Sequence, residues 1–354
     1  MRVLTLLGTR PEIIRLSRVI PQLDRHCEQV LVYTGQNFDP ALSDVFFSEL
    51  GLRAPDVHLG IRASTFAEQF SELIARSGPL LQRVRPDRLL LLGDTNSALV
   101  AILAARMGIP VYHMEGGNRA YDDRIPEEVN RRIIDHCSSV LMPYTERSAA
   151  NLVREGIARE RVFVTGNPIF EVLETYMPDI DASDVRARLG LEKYFLATLH
   201  RSENVDDPAR FDGILEGFSR VADKHQTPLI VALHPRTASR MNEAPRSPLV
   251  RILPPLGFFD FVHLEKHAAL VLSDSGTVPE ECAILRVPNV SVRDATERPE
   301  TIECGSTALT GGDPDDIERI ASMVLQLPRD WVPPREYTIR DVSATVARIV
   351  LGAS

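Results

Sequence analysis

Short apolar runs alternate with stretches of helical periodicity along almost the whole chain. In the first half the runs fall at residues 3–7, 29–34, 89–92, 110–112, 139–142 and 162–165. In the second half they fall at 194–199, 228–233, 250–253, 268–272, 288–292 and 307–309. Runs such as Leu89-Leu90-Leu91-Leu92 do not alternate with polar residues, which predicts strands buried on both faces of a parallel sheet. Between them lie amphipathic segments. The first carries Ile13, Ile14, Leu16 and Val19 on one side, with Thr9 as N-cap, and Pro21 should kink or end it. Residues 38–87 read as mainly helical, broken at Gly51, Gly60 and Gly78-Pro79. Two such alternating series predict an α/β protein of two doubly wound parallel sheets with a cleft between them. Gly166-Asn167-Pro168 marks a break. The expected domains are 1–168 and 169–338, with a helix at about 339–354 packing back on the first.

Composition narrows the class. A chain of 354 residues with 44% hydrophobic and 25% charged residues is of ordinary globular type and long enough for two domains. A net charge of −9 argues against a general nucleic-acid binder. Cys27, Cys137, Cys282 and Cys304 form no CxxC pair, so neither a disulfide framework nor a zinc knuckle is indicated, and reduced thiols in the cytoplasm are expected. No run reaches the ~18 apolar residues of a membrane span, and the N-terminal apolar run is too short for a signal peptide.

Polar chemistry collects at strand ends. Asp94 follows the 89–92 run, and His113 and Glu115 follow 110–112. Glu127 and Glu128 follow Pro126 at the start of a helix. In open α/β sheets ligands bind at the carboxyl ends of the strands, so these carboxylates suit general acid–base work. Helix capping by Asp94 and Thr95, dipole pairing by Glu127 or Glu128, and a plain turn at Gly116-Gly117 account for the same residues equally well. Gly8-Thr9-Arg10-Pro11-Glu12, between a strand and a helix N-terminus, reads as an anion site or as a well-capped helix with a surface Arg. In the second half His200-Arg201, His234-Pro235-Arg236 and Ser273-Asp274-Ser275-Gly276-Thr277 each follow a strand. The last offers backbone N–H groups to a phosphate, and Glu281, just inside its helix, suits a ribose diol or the helix dipole. Phe258, Phe259 and Phe261 read as core. Neither GxGxxG nor GxxxxGK[ST] is present, so nicotinamide, flavin and P-loop sites lack their fingerprints.

These motifs, together with His113-Met114-Glu115-Gly116-Gly117, Pro126-Glu127-Glu128-Val129-Asn130-Arg131, Thr165-Gly166-Asn167 and Glu297-Arg298-Pro299-Glu300, resemble in order those of the non-hydrolysing UDP-N-acetylglucosamine 2-epimerases. The resemblance implies the GT-B fold, a UDP-sugar substrate, no metal or redox cofactor, and a cytoplasmic homodimer serving polysaccharide biosynthesis. It implies interconversion of UDP-GlcNAc and UDP-ManNAc by loss and re-addition of UDP. By position it makes Asp94, Glu115, Glu127 and His200 catalytic. Arg10 and the Ser275-Gly276 turn would bind diphosphate, Glu281 the ribose, and Phe261 would lie beside uracil. Arg15 stands where the family usually has Lys; it, Arg119, His234 and Arg298 are assigned to substrate binding. Thr277 replaces a common Gly, and Asn37 replaces an activator-binding His. Asn118-Arg119 with Arg124-Ile125-Pro126 resembles a branch acting on modified sugars such as UDP-2-acetamido-2,6-dideoxy-L-talose. A hydrolysing epimerase, a GT-B glycosyltransferase and a nucleotide-sugar sensor are the rival readings.

Overall fold

A computed structural model describes residues 1–35, 40–63, 65–233, 237, 240–241 and 246–352. The positions of Asn37 and His234 lie outside the described residues. The chain divides into two units, 1–175 with 336–354, and 176–335. The division falls inside the helix Ile169–Asp181.

The first unit holds β1 (Arg2–Leu7), β2 (Glu28–Tyr33), β3 (Val57–His58), β4 (Arg88–Leu92), β5 (Val111–Met114) and β6 (Val140–Met142). All pair in parallel, in the order β3-β2-β1-β4-β5-β6. This is the Rossmann order 3-2-1-4-5-6. β4 is buried along its whole length. Leu89 and Leu91 enter a cluster with Leu4, Leu6, Leu73, Leu80 and Val100, so helices cover the strand as its unbroken apolar run requires.

The second unit holds β7 (Phe195–Leu199), β8 (Leu229–Leu233), β9 (Val250–Leu253), β10 (Leu270–Ser273), β11 (Asn289–Ser291) and β12 (Thr307–Leu309). Its order, β12-β11-β10-β7-β8-β9, is the Rossmann order again, read from the other edge. Two Rossmann units in one chain give the GT-B fold class.

Three local expectations differ from the structure. The helix Arg10–Leu16 ends before Pro21, and a second helix, Val19–His26, carries Pro21 in its first turn, where the missing N–H removes no intrahelical bond. Residues 162–165 run beside β6 with backbone bonds from Phe163 to Leu141 at 2.9 Å and from Thr165 to Pro143 at 3.0 Å, but form only a bridge at Val162. β3 went unpredicted because two residues carry no periodicity. The helix Val342–Leu351 packs on Val19–His26 within the first unit. Gly166 is tightly placed there: its Cβ would come within 2.9 Å of Ile339. Among the described residues no helix is long and apolar enough to cross a membrane.

Candidate active site

In the first unit Asp94 and Glu115 follow the ends of β4 and β5, and Glu127 lies in the first turn of the helix Pro126–Cys137. Glu115 is 9% exposed and takes a left-handed φ of 68°, which costs a non-glycine residue about 1–3 kcal/mol. The turn places its carboxylate between two donors. Arg15 Nη1 donates to Glu115 Oε2 at 3.1 Å and to Tyr144 Oη at 3.2 Å, and the Tyr144 hydroxyl donates to the same Oε2 at 3.1 Å. Asn118 Nδ2 lies 3.4 Å from Oε1. Arg15, 1% exposed, also lies over the Tyr144 ring. Its fixed fork makes two directed bonds where a lysine would offer one point charge.

Asp94 lies one residue before Thr95, the N-cap of the 3₁₀ helix Asn96–Leu99. Its Oδ2 accepts from Arg131 Nε at 2.8 Å, and its backbone carbonyl accepts from Asn130 Nδ2 at 2.9 Å. Both donors come from the helix Pro126–Cys137. Glu127 and Glu128 in its first turn differ in role. Glu128 is fully buried and accepts from the Ala120 and Tyr121 N–H groups and from Arg131, so it holds the 120–121 loop. Glu127 is half-exposed.

Arg119, expected at the substrate, is engaged by protein partners. It is 3% exposed, and its donors go to Glu155, to Asp135 and to the Asn118 carbonyl. The same Asp135 accepts from the Gly117 N–H at 3.1 Å and faces His113 Nδ1 at 2.9 Å. Gly117, at φ 83°, lies so close to the Ser148 carbonyl that no Cβ fits. The turn after Glu115 is thus clamped from below by Asp135.

Arg10 lies over Phe46, its centre 5.8 Å from the ring centroid, and burial lowers its pKa. No carboxylate pairs with it among the described residues. Glu12, two residues on, accepts the N–H groups of Gly8 and Thr9 at 2.9 and 2.7 Å. Burial raises the Glu12 carboxyl to about 7, although these donors pull the other way. A half-buried guanidinium at a helix N-terminus suits an anion.

In the second unit, His200 and the Ser275-Gly276 turn share one anchor. Asp274, fully buried, accepts the His200 N–H at 3.0 Å and the Arg201 N–H at 2.9 Å, and faces His200 Nδ1 at 3.0 Å. Burial pushes this carboxyl up, but His200 and the two N–H groups bring it down to about 2. With Nδ1 held, Nε2 of His200 is left for chemistry, and the side chain is 51% exposed. A Cβ on Gly276 would lie 2.5 Å from Glu297 Oε1 and 3.2 Å from Arg201 Nη2. The Ser275 N–H and the Ser273 hydroxyl are bonded at 2.9 Å. Arg298, expected at the substrate, is 4% exposed and donates through Nε to the buried Glu280. Glu281 is 5% exposed, and Phe261 is half-buried against a cluster that includes Leu264, Val278 and Cys282.

Tyr144, Arg131, Asp135, Glu12 and Asp274 were not singled out for roles from the sequence. Asp274 had a usable signal, an acid at a strand end beside the phosphate-type turn. Glu12 had one too, three residues after the N-cap Thr9 as in a capping box, whereas Tyr144, Arg131 and Asp135 carry none, because a buried partner is chosen by tertiary contact.

A family model described as UDP-N-acetylglucosamine 2-epimerase matches residues 21–350. The chain is 37% identical over 347 residues to the UDP-N-acetylglucosamine 2-epimerase of Methanocaldococcus jannaschii, covering 94% of this chain and 95% of that one. It is 33% identical over 323 residues to the UDP-2,3-diacetamido-2,3-dideoxy-D-glucuronate 2-epimerase of Pseudomonas aeruginosa, covering 90% of each. The crystal structure of the M. jannaschii UDP-GlcNAc 2-epimerase in complex with UDP-GlcNAc and UDP matches with a TM-score of 0.94 at 36% identity over 99% of both chains.

Proposed function

The chain belongs to the UDP-N-acetylglucosamine 2-epimerase family, and from that premise we propose that it interconverts UDP-GlcNAc and UDP-ManNAc by eliminating and re-adding UDP. The observation that carries this reading is Glu115. A carboxylate on a strained strand end, pinned by Arg15 and Tyr144, is built for proton work. Binding a diphosphate alone calls for no such group, which disfavours a sensor.

The chemistry explains the residue types. C2 of the sugar is not next to a carbonyl, so its proton is not acidic. One carboxylate of the first unit takes that proton as the C1–O bond to UDP breaks, and the electron pair forms the C1–C2 double bond of a glycal. A second acid returns a proton to the other face of C2, and a diphosphate oxygen re-forms the bond at C1. Glu115, Glu127 and Asp94 are the candidates for these proton steps. His200, Arg10 and the Ser275-Gly276 turn would offset the charge on departing UDP, with Glu281 on the ribose. Arg119 and Arg298 then serve by bracing, through Asp135 and Glu280. A cytoplasmic homodimer supplying polysaccharide precursors belongs to the same proposal. The match to the diacetamido-glucuronate 2-epimerase keeps a modified UDP-2-acetamido sugar as the second reading.

Incubation with UDP-GlcNAc alone in D2O, followed by proton NMR, tests the proposal. The expected product is UDP-ManNAc carrying deuterium at C2, and later both epimers carry it. Free ManNAc with UDP would indicate hydrolysis. No turnover of this sugar, but turnover of a modified one in a small panel, would move the substrate to the second reading. Retention of the C2 hydrogen through epimerisation would sink the elimination route.

A further inference from the structure

The helix Phe258–His267 carries Phe261 and, one turn on, Glu265. Residues four apart share a helix face. Glu265 is wholly buried, an uncommon place for an acid unless it is neutral or paired. Cys282 Sγ donates to its Oε1 at 3.3 Å. Its Oε2 is also buried and meets no donor among the described residues. What Glu265 meets instead is another carboxyl group, that of Glu281 on the helix Val278–Leu285. Two carboxylates buried side by side cannot both be charged. A buried carboxyl oxygen with no donor in reach is satisfied only by carrying the hydrogen itself.

We propose that Glu265 is a positioning residue: as a neutral carboxylic acid it donates a hydrogen bond to Glu281 and holds that carboxylate ionised and oriented for the two hydroxyls of a ribose. The proton belongs on Glu265 because it is the more deeply buried of the pair, at 0% exposed against 5%. Burial and the neighbouring Glu281 both push the Glu265 carboxyl well above the usual range. The Cys282 thiol is pushed up by burial and by both acids, so it stays a neutral donor. One helix thereby serves the nucleoside twice, with Phe261 toward the base and Glu265 behind the ribose carboxylate. The inference rests on the reading of the second unit as the UDP-binding unit.

Calorimetric titration of UDP and 2′-deoxy-UDP into the wild type, Glu265→Gln, Glu265→Leu and Glu281→Gln tests it, with thermal melts to confirm folding. Glu265→Leu removes the donor and should weaken UDP about tenfold, the worth of one charge-assisted hydrogen bond. Glu265→Gln keeps a donor on an isosteric side chain and should bind UDP much as the wild type does. For 2′-deoxy-UDP, which lacks the diol, the gap between Glu265→Leu and wild type should shrink. Unchanged UDP affinity in a folded Glu265→Leu, or an equal loss in Glu265→Gln, overturns the proposal while leaving Glu281 in place. Unchanged affinity in Glu281→Gln removes Glu281 from the ribose, and the role of Glu265 with it. If Glu265→Leu fails to fold, Glu265→Gln decides: an affinity loss there rejects the donor role, and near-normal binding with a normal melt supports it.

Discussion

Glu115→Gln is expected to slow epimerisation by about 10²–10⁴-fold, the contribution of a positioned acid or base, while UDP affinity stays unchanged. The two halves of this expectation come from different parts of the chain. The amide keeps an oxygen that can accept from Arg15 and Tyr144, both of which now hold Glu115 Oε2 at 3.1 Å. The turn is therefore preserved, and what disappears is the capacity to take or return a proton. The proposed UDP contacts lie at residues other than Glu115, so they are untouched. Steady-state turnover by NMR, paired with UDP calorimetry, makes the measurement. A Glu115→Gln protein within a few-fold of wild-type turnover would reduce Glu115 to a structural acid and shift the proton work to Asp94 and Glu127. Deuterium uptake at C2 in the slow variant separates the proton steps further. Uptake without net epimerisation would mean that proton removal survives and the return to the opposite face has failed.

Arg15 shows why this pocket was only half legible. Its position followed from the periodicity of the first helix, and the family resemblance set it at the substrate. The structure makes it a 1%-exposed brace between Glu115 and Tyr144. Apolar runs announced nearly every strand because a parallel sheet covered on both faces demands them. Strand-end motifs announced the candidate acids, because ligands gather there in open sheets. A helix pattern, by contrast, gives a buried face but not the identity of what it meets. Glu128, Arg131 and Asp135 are charged residues of one helix, yet all three are buried. Their partners lie in the 117–121 loop and at His113 and Asp94, which no spacing in the sequence connects. Arg119 and Arg298 have buried carboxylate partners that no spacing announces either. A guanidinium beside a motif reads as a ligand contact until the buried carboxylate that claims it is seen.

Asp135→Ala should be the most destabilising change in the first unit's site, at about 3–5 kcal/mol, the usual cost of removing one partner from a buried ion pair. Three donors depend on this carboxylate. Arg119 Nη2 lies at 2.8 Å, the Gly117 N–H at 3.1 Å and His113 Nδ1 at 2.9 Å. The His113 ring faces acceptors on both sides, since its Nε2 lies 2.8 Å from the Gly93 carbonyl, so it is held as the doubly protonated cation. The linkage follows from the directions of the shifts. Burial alone would lower the His113 pKa, but Asp135 raises it above its ordinary value overall. Burial alone would raise Asp135, but His113 and Arg119 bring it below the ordinary carboxylate value. The His113 contribution is therefore complete below its unfolded pKa of about 6.5 and is lost as pH rises through the higher folded value. The Asp135 contribution is complete above its unfolded pKa of about 3.9 and is lost as pH falls through the lower folded value. Urea unfolding across pH should show both limbs in the wild type and flatten both in Asp135→Ala. Asp184→Asn, which removes an exposed pair with Arg188, is the control and should change little. A loss no larger than that of the control would mean that the clamp under the Glu115 turn is dispensable, and that the strained backbone there is held by β5 and Tyr144 alone.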